Sequence, residues 1–359
     1  MIDCCLYAQP ASQAELFQFL SAGWRDYLTP ARAEGRPRAL PNILPKRFHR
    51  DPEGERLAGD RPPQAGLGSL VEGTGAEFAL VVPEPGLQVA VLPHHGFALG
   101  LASAINGWAL SRLEEAGDRR LRTLITAAVQ VPEAAAGEIR RLGSDDRFAG
   151  VLLGGNGLGK PFGHPAYEPV LRAAAELDLP VVVHVHSEAS PNTLTHPTAA
   201  GLPSTYVEYE ILRAHAVMTH LTSLIGQGVF DRFPGLRVLA LGAGVTWLTS
   251  WVWRFDAEHR GLGVSEAPWL RTIPSRYLRE NVGVSTYSLN GGGLLPQEVR
   301  ALRQLEGAEE IICYGSGLPA WDASPPGTLD AWLPAEWRSR VLSDNARRLL
   351  RLPAHMEAR

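Results

Sequence analysis

Leu179-Pro180-Val181-Val182-Val183-His184 reads as a strand that is apolar on both faces and ends on a histidine. β-Branched residues suit a pleated backbone. A continuous apolar run, as opposed to an alternating one, marks a strand covered on both sides, as in parallel sheets. The pattern recurs in both directions from this stretch. Residues 2–7, 87–92, 121–131 and 148–153 read as strands before it, and 236–241, 281–285 and 311–314 as strands after it. Helix-compatible stretches lie between them at 98–115, 133–142, 166–177, 206–230, 245–258 and 296–305, and 338–351 closes the chain. About eight strand–helix units in 359 residues predict a (β/α)8 TIM barrel forming one domain over 1–359. A Pro-, Gly- and Arg-rich stretch over 30–75 reads as an irregular insertion. An open doubly wound sheet is the alternative, but no phosphate-cradling glycine motif follows the first strand.

Composition narrows the function classes. Hydrophobic residues at 45% and charged residues at 20% belong to a globular chain. A formal net charge of −4 gives no basic footprint for nucleic acid. No apolar stretch reaches the roughly 20 residues of a membrane helix, and no basic segment followed by an apolar run predicts a leader. Cys4, Cys5 and Cys313 are too few for a disulfide framework, which points to reduced thiols and a cytoplasmic setting.

A series of phrases then runs in order along nearly the whole chain. It comprises Ile2-Asp3-Cys4, Trp24-Arg25-Asp26-Tyr27, Ala104-Ile105-Asn106-Gly107-Trp108 and Gly163-His164-Pro165-Ala166-Tyr167-Glu168-Pro169. The series continues through the strand ending at His184, Gly228-Val229-Phe230-Asp231-Arg232-Phe233-Pro234, Trp253-Arg254-Phe255-Asp256 and Asp344-Asn345-Ala346-Arg347-Arg348-Leu349. Taken together it resembles the amidohydrolase superfamily, in the branch that includes aminocarboxymuconate-semialdehyde decarboxylase. The resemblance implies a divalent metal at the C-terminal ends of the strands, lowering the pKa of bound water or polarising a substrate carboxylate.

The resemblance also implies ligand positions, and most are altered here. Strand one should end Asp-x-His or His-x-His but reads Cys5-Leu6-Tyr7. Strand five supplies His184, followed by His186 where the family has a small residue. After strand six, Gly242 stands where Glu or His is expected. The strand-eight phrase Ser-Asp-Tyr-Pro-His-Trp-Asp reads Ser316-Gly317-Leu318-Pro319-Ala320-Trp321-Asp322, with Gly317 for the Asp and Ala320 for the His. No metal and no other cofactor is expected on this count. If one binds, its ligands are His184, His186 and Cys5, with zinc or manganese as the ion.

Each candidate has an ordinary structural role as its competitor. Cys5 reads first as a small buried apolar residue, and His184 as a packed, hydrogen-bonded remnant. Tyr7 and Asp322 are pocket candidates beside them, with Asp322 occupying a supporting position in the family phrase. His95, Asn156 and Glu188 lie at or after strand ends and are candidates for substrate contact. Trp247, Trp251 and Trp253 read as packing or as a subunit contact before a ligand platform. Two readings follow. The first is a non-catalytic subunit, a pseudoenzyme pairing with an active amidohydrolase paralogue in a homo- or hetero-oligomer. The second is a working hydrolase or decarboxylase-type lyase on a small aromatic acid or amide, with rebuilt chemistry around His184 and His186.

Overall fold

The computed structural model describes residues 1–28, 49–50, 56–57, 66–155, 158–184, 206–289, 293–320, 322–350 and 352. Eight parallel strands succeed one another around the sheet in chain order. They are β1 (Ile2–Ala8), β2 (Phe78–Pro83), β3 (Leu121–Thr126), β4 (Phe148–Leu153), β5 (Val181–His184), β6 (Val238–Leu241), β7 (Val282–Ser285) and β8 (Ile312–Cys313). The last meets the first through the Cys4 N–H on the Tyr314 carbonyl at 2.9 Å and the Tyr7 N–H on the Leu318 carbonyl at 2.8 Å. The sheet is thus a nearly closed barrel.

Alternation along each strand divides the side chains between two environments. Phe78, Leu80, Val82, Leu124, Leu152, Val182, Leu239 and Leu241 fill the barrel interior. Their neighbours in sequence, such as Val151, Val181, Val183, Val238 and Ala240, pack outward into the main apolar cluster. This is why β5 has no polar face until His184. The register of β1 against β2 shifts between Asp3 and Leu6, and both Cys5 and Tyr7 join the interior cluster. The helices α1 (His95–Ala116), α2 (Pro132–Leu142), α3 (Glu168–Glu176), α4 (Tyr206–Gly226) and α5 (Leu248–Glu266) follow successive strands from β2 onward.

Two expected elements differ. The second strand is not at 87–92 but at Phe78–Pro83, and Glu84–Val91 forms a 3-10 helix. Pro85 sits in the first turn of that helix, where its missing N–H costs nothing, and Leu87 lies in the barrel interior. The insertion over 30–75 is not wholly irregular, since Leu67–Thr74 is a helix with Leu67, Leu70 and Val71 buried.

Candidate functional site

The C-terminal ends of the strands carry a buried polar cluster. His184 closes β5 and is fully buried. The Tyr7 hydroxyl lies 2.5 Å from His184 Nε2. The tautomer decides which of the two donates. Tyr7 also meets the ring of Tyr287 edge-on, with centroids 5.8 Å apart. Tyr287, two residues beyond β7, donates its hydroxyl to Asp322 Oδ1 at 2.9 Å, and Ser288 donates its own to Asp322 Oδ2 at 2.6 Å. Two hydrogen-bonded units, Tyr7 with His184 and Asp322 with Tyr287 and Ser288, therefore touch through the faces and edges of two phenol rings.

The glycines at 242 and 317 shape this cluster. Gly317 has φ of +70°, and a Cβ built on it would fall 2.1 Å from two ring carbons of Tyr287. Tyr287 thus fills the room a side chain at 317 would need. Gly242 has φ of +79°. A Cβ there would lie 2.9 Å from Arg213 Nη2 and 2.9 Å from His184 Cε1. Arg213, buried on α4 and paired with Glu210 at 2.5 Å, therefore comes close to the histidine.

Asp3 braces the strand-one side. Its Oδ1 accepts the Cys5 N–H at 3.0 Å and the Ser316 N–H at 2.9 Å, tying β1 to the turn that holds Gly317. Burial pushes its carboxyl up from 3.8 to about 6, against the lowering effect of those bonds. The folded chain then holds the proton more tightly than the unfolded chain. The associated stability is full below pH about 4 and lost as pH rises through about 6. With 1.36 kcal/mol per unit, the fall amounts to about 3 kcal/mol. Asp3→Asn keeps an acceptor for both N–H groups and is expected to flatten urea-denaturation stability across that window. An unchanged fall with pH in the variant would exclude Asp3 as its source.

The sequence candidates separate as follows. His184, Tyr7 and Asp322 come together in the cluster. Cys5 is buried in the same barrel interior. His95 is exposed in the first turn of α1 and stands apart from the buried cluster. His186, Asn156 and Glu188 lie outside the described residues. Trp247 is core, its indole N–H bonded to the Ala243 and Gly244 carbonyls, while Trp253 is exposed. Tyr287, Ser288, Arg213 and Glu84 were not anticipated. Glu84 follows β2 on the same rim and accepts a hydrogen bond from Gln9. Only Gly317 hinted at Tyr287, because the room beside a glycine in a packed barrel has to be filled.

A divalent metal can be tested against these residues. Among those described, no three His, Cys, Asp or Glu side chains gather into a metal-holding group. His184 Nε2 is engaged by Tyr7, and the Tyr287 ring stands where a strand-eight ligand side chain would project. The described residues alone therefore do not compose a ligand set.

The family model described as amidohydrolase matches residues 76–352. A gamma-resorcylate decarboxylase of Rhodococcus jostii is 26% identical over 212 residues, covering 55% of this chain and 61% of that protein. The chain thus matches under two thirds of that relative's length. A crystallised amidohydrolase of Mycobacterium avium subsp. paratuberculosis superposes with a TM-score of 0.71 at 18% identity, covering 97% of this chain and 98% of that one. The 5-carboxyvanillate decarboxylase of Novosphingobium aromaticivorans, crystallised with manganese, superposes at 0.64 with 20% identity, covering 97% and 94%. These likenesses establish the barrel.

Two expectations are corrected. The pseudoenzyme reading gives way because the curated relatives are named as decarboxylases. Physically, glycine at 242 and 317 does not leave the mouth empty, since it holds Tyr7, His184, Tyr287 and Asp322 in contact. The expectation of no cofactor gives way because decarboxylases of this fold are crystallised with manganese. Among the described residues no helix is long and apolar enough to cross a membrane. With its family model spanning most of the chain and its eight strands closing in the expected order, the chain belongs to the amidohydrolase family, in the branch whose matching curated members are decarboxylases.

Proposed function

We propose that this chain is a lyase that removes CO2 from a small hydroxylated aromatic acid. The observation that carries the reading is the convergence of Tyr7, His184, Tyr287 and Asp322 at the barrel rim. The names of the relatives, both gamma-resorcylate decarboxylases, support this reaction class.

The reaction sets three demands. The acid must be held, a proton must reach the ring carbon that bears the carboxylate, and water must be kept from competing for it. When the C–C bond breaks, its electron pair stays on the ring carbon, which takes up a proton, and CO2 departs. The Tyr7–His184 pair suits the proton step, since imidazole exchanges protons near neutral pH and the phenol extends its reach. Arg213, close to His184 across Gly242, supplies a positive charge beside the same spot and suits a carboxylate. Burial of His184 and Tyr287 strengthens each of these interactions.

A divalent ion belongs to this reading through the manganese-bearing relatives. When bound, such an ion polarises a carboxylate or an ionised hydroxyl. Of the candidate ligands His184, His186 and Cys5, the first and last are described, so the set would be completed from outside the described residues. Proton delivery by Tyr7 and His184 and carboxylate binding by Arg213 stand on these side chains alone.

The test is CO2 release from a panel of mono- and dihydroxybenzoates, with and without added manganese. Release from at least one ortho-hydroxylated acid is expected. A folded protein that releases none in either condition sinks the proposal.

A further inference from the structure

The carboxylate of this site stands at 322 and not at 317, and its surroundings specify what it recognises. Asp322 is buried on the strand-eight side of the rim. Tyr287 and Ser288 each give it one hydroxyl hydrogen bond, one to each oxygen. A carboxylate offers about four acceptor positions, so these two bonds fix its orientation and leave it able to accept from a further donor. Both hydroxyls belong to consecutive residues past β7, so the carboxylate is aimed by the barrel itself and not by a surface loop side chain. Tyr287 takes that place because Gly317 has no Cβ. Its ring then rests edge-on against Tyr7, the partner of His184.

We propose that Asp322 reads the ring hydroxyl of the substrate, accepting its proton, and so restricts the site to aromatic acids bearing a hydroxyl group. This deepens the lyase reading and rests on it for the reaction. The proton passes from the ring hydroxyl to an Asp322 oxygen, and the O–H electron pair stays on the substrate oxygen. The resulting phenolate pushes electron density into the ring. The ring carbon bearing the carboxylate then accepts a proton from the Tyr7–His184 side. The C–C bond breaks with its electrons retained by the ring, CO2 leaves, and Asp322 returns its proton to the product oxygen. The sum is one carboxylate and one proton giving one arene and one CO2. Tyr287 is a positioning residue in this scheme, since it acts by holding Asp322.

The experiment compares binding of 2,6-dihydroxybenzoate and 2,6-dimethoxybenzoate by titration calorimetry, using the full chain, Asp322→Asn and Tyr287→Phe. The two ligands share a ring and a carboxylate and differ in the donor. The wild type is expected to prefer the dihydroxy acid by roughly tenfold to a hundredfold, the range of a hydrogen bond to a charged group. Asp322→Asn is expected to erase that preference by weakening the dihydroxy acid alone. Tyr287→Phe keeps Asp322 and should retain a reduced preference. Asn keeps the shape of Asp and can still meet both hydroxyls, and a circular dichroism melt within a few degrees of wild type confirms the fold. Equal affinities in the wild type, binding of neither ligand, or a preference that survives Asp322→Asn overturns the assignment. Because the readout needs no turnover, a wild type that discriminates but releases no CO2 refutes the lyase reading while leaving Asp322 as the hydroxyl reader.

Discussion

Gly317→Asp is expected to lower the stability of the fold by roughly 4 kcal/mol. Two costs add. The backbone at 317 has φ of +70°, where a Cβ crowds its own carbonyl at about 1–2 kcal/mol. The new Cβ would also lie 2.1 Å from ring carbons of Tyr287. That ring cannot swing aside cheaply. It is fully buried, its hydroxyl is bonded to Asp322, and its edge is set against Tyr7. Overpacking of a fixed side chain commonly costs about 1–3 kcal/mol. Tyr287→Ala removes the obstacle, at the expense of a cavity worth about 3–5 kcal/mol on its own. In the double variant the aspartate occupies part of that cavity. The two changes should therefore be non-additive, with the double variant more stable than the sum by roughly 2 kcal/mol. Urea denaturation of the four chains measures this. Additivity within about 0.5 kcal/mol would show that Tyr287 does not occupy the volume beside 317.

The barrel was legible because its strands carry their burial in their composition. Val181-Val182-Val183 has no polar face, and Ile311-Ile312-Cys313-Tyr314 announces β8 although only Ile312–Cys313 pairs as strand. The second strand was misplaced for a local reason. Both 78–83 and 87–92 are apolar, and the second begins in a 3-10 helix that Pro85 opens. His184 stood out as a polar residue ending an apolar strand. Tyr287 did not, since nothing in Ser285-Thr286-Tyr287-Ser288 marks its ring, and the cue lies thirty positions later at Gly317. Arg213 belongs to a helix whose charged residues look alike in sequence, and only the space left by Gly242 brings it near His184. The inference from missing side chains to a silent protein failed on the same point. A glycine in a close-packed barrel leaves room beside it, and at 317 the ring of Tyr287 fills that room. Motif positions report whether one known solution is present. They do not report which groups the fold has moved into the space.

His184→Ala is expected to reduce kcat/KM for CO2 release by about 10³-fold, within the 10²–10⁴ range of a positioned proton-transfer group. His184 is fully buried, bonded to Tyr7 at 2.5 Å, and set close against Gly242, where a Cβ would lie 2.9 Å from its ring. Its removal takes away the proton-exchanging partner and lets the Tyr7 hydroxyl reorient. The loss should fall on kcat with KM changed only a few-fold, because Arg213 and Asp322, the groups assigned to the substrate's carboxylate and hydroxyl, remain. Tyr7→Phe is expected to cost less, about tenfold. The phenyl ring still packs on Tyr287, and His184 stays in reach of the mouth, though without the phenol that extends it. Added imidazole should restore part of the activity of His184→Ala by entering the vacated space and should leave Tyr7→Phe unaffected. That contrast separates a lost proton carrier from a collapsed pocket. If His184→Ala instead retains activity within about threefold of wild type, proton delivery must come from another group, and the Asp322 unit would be the next to carry it.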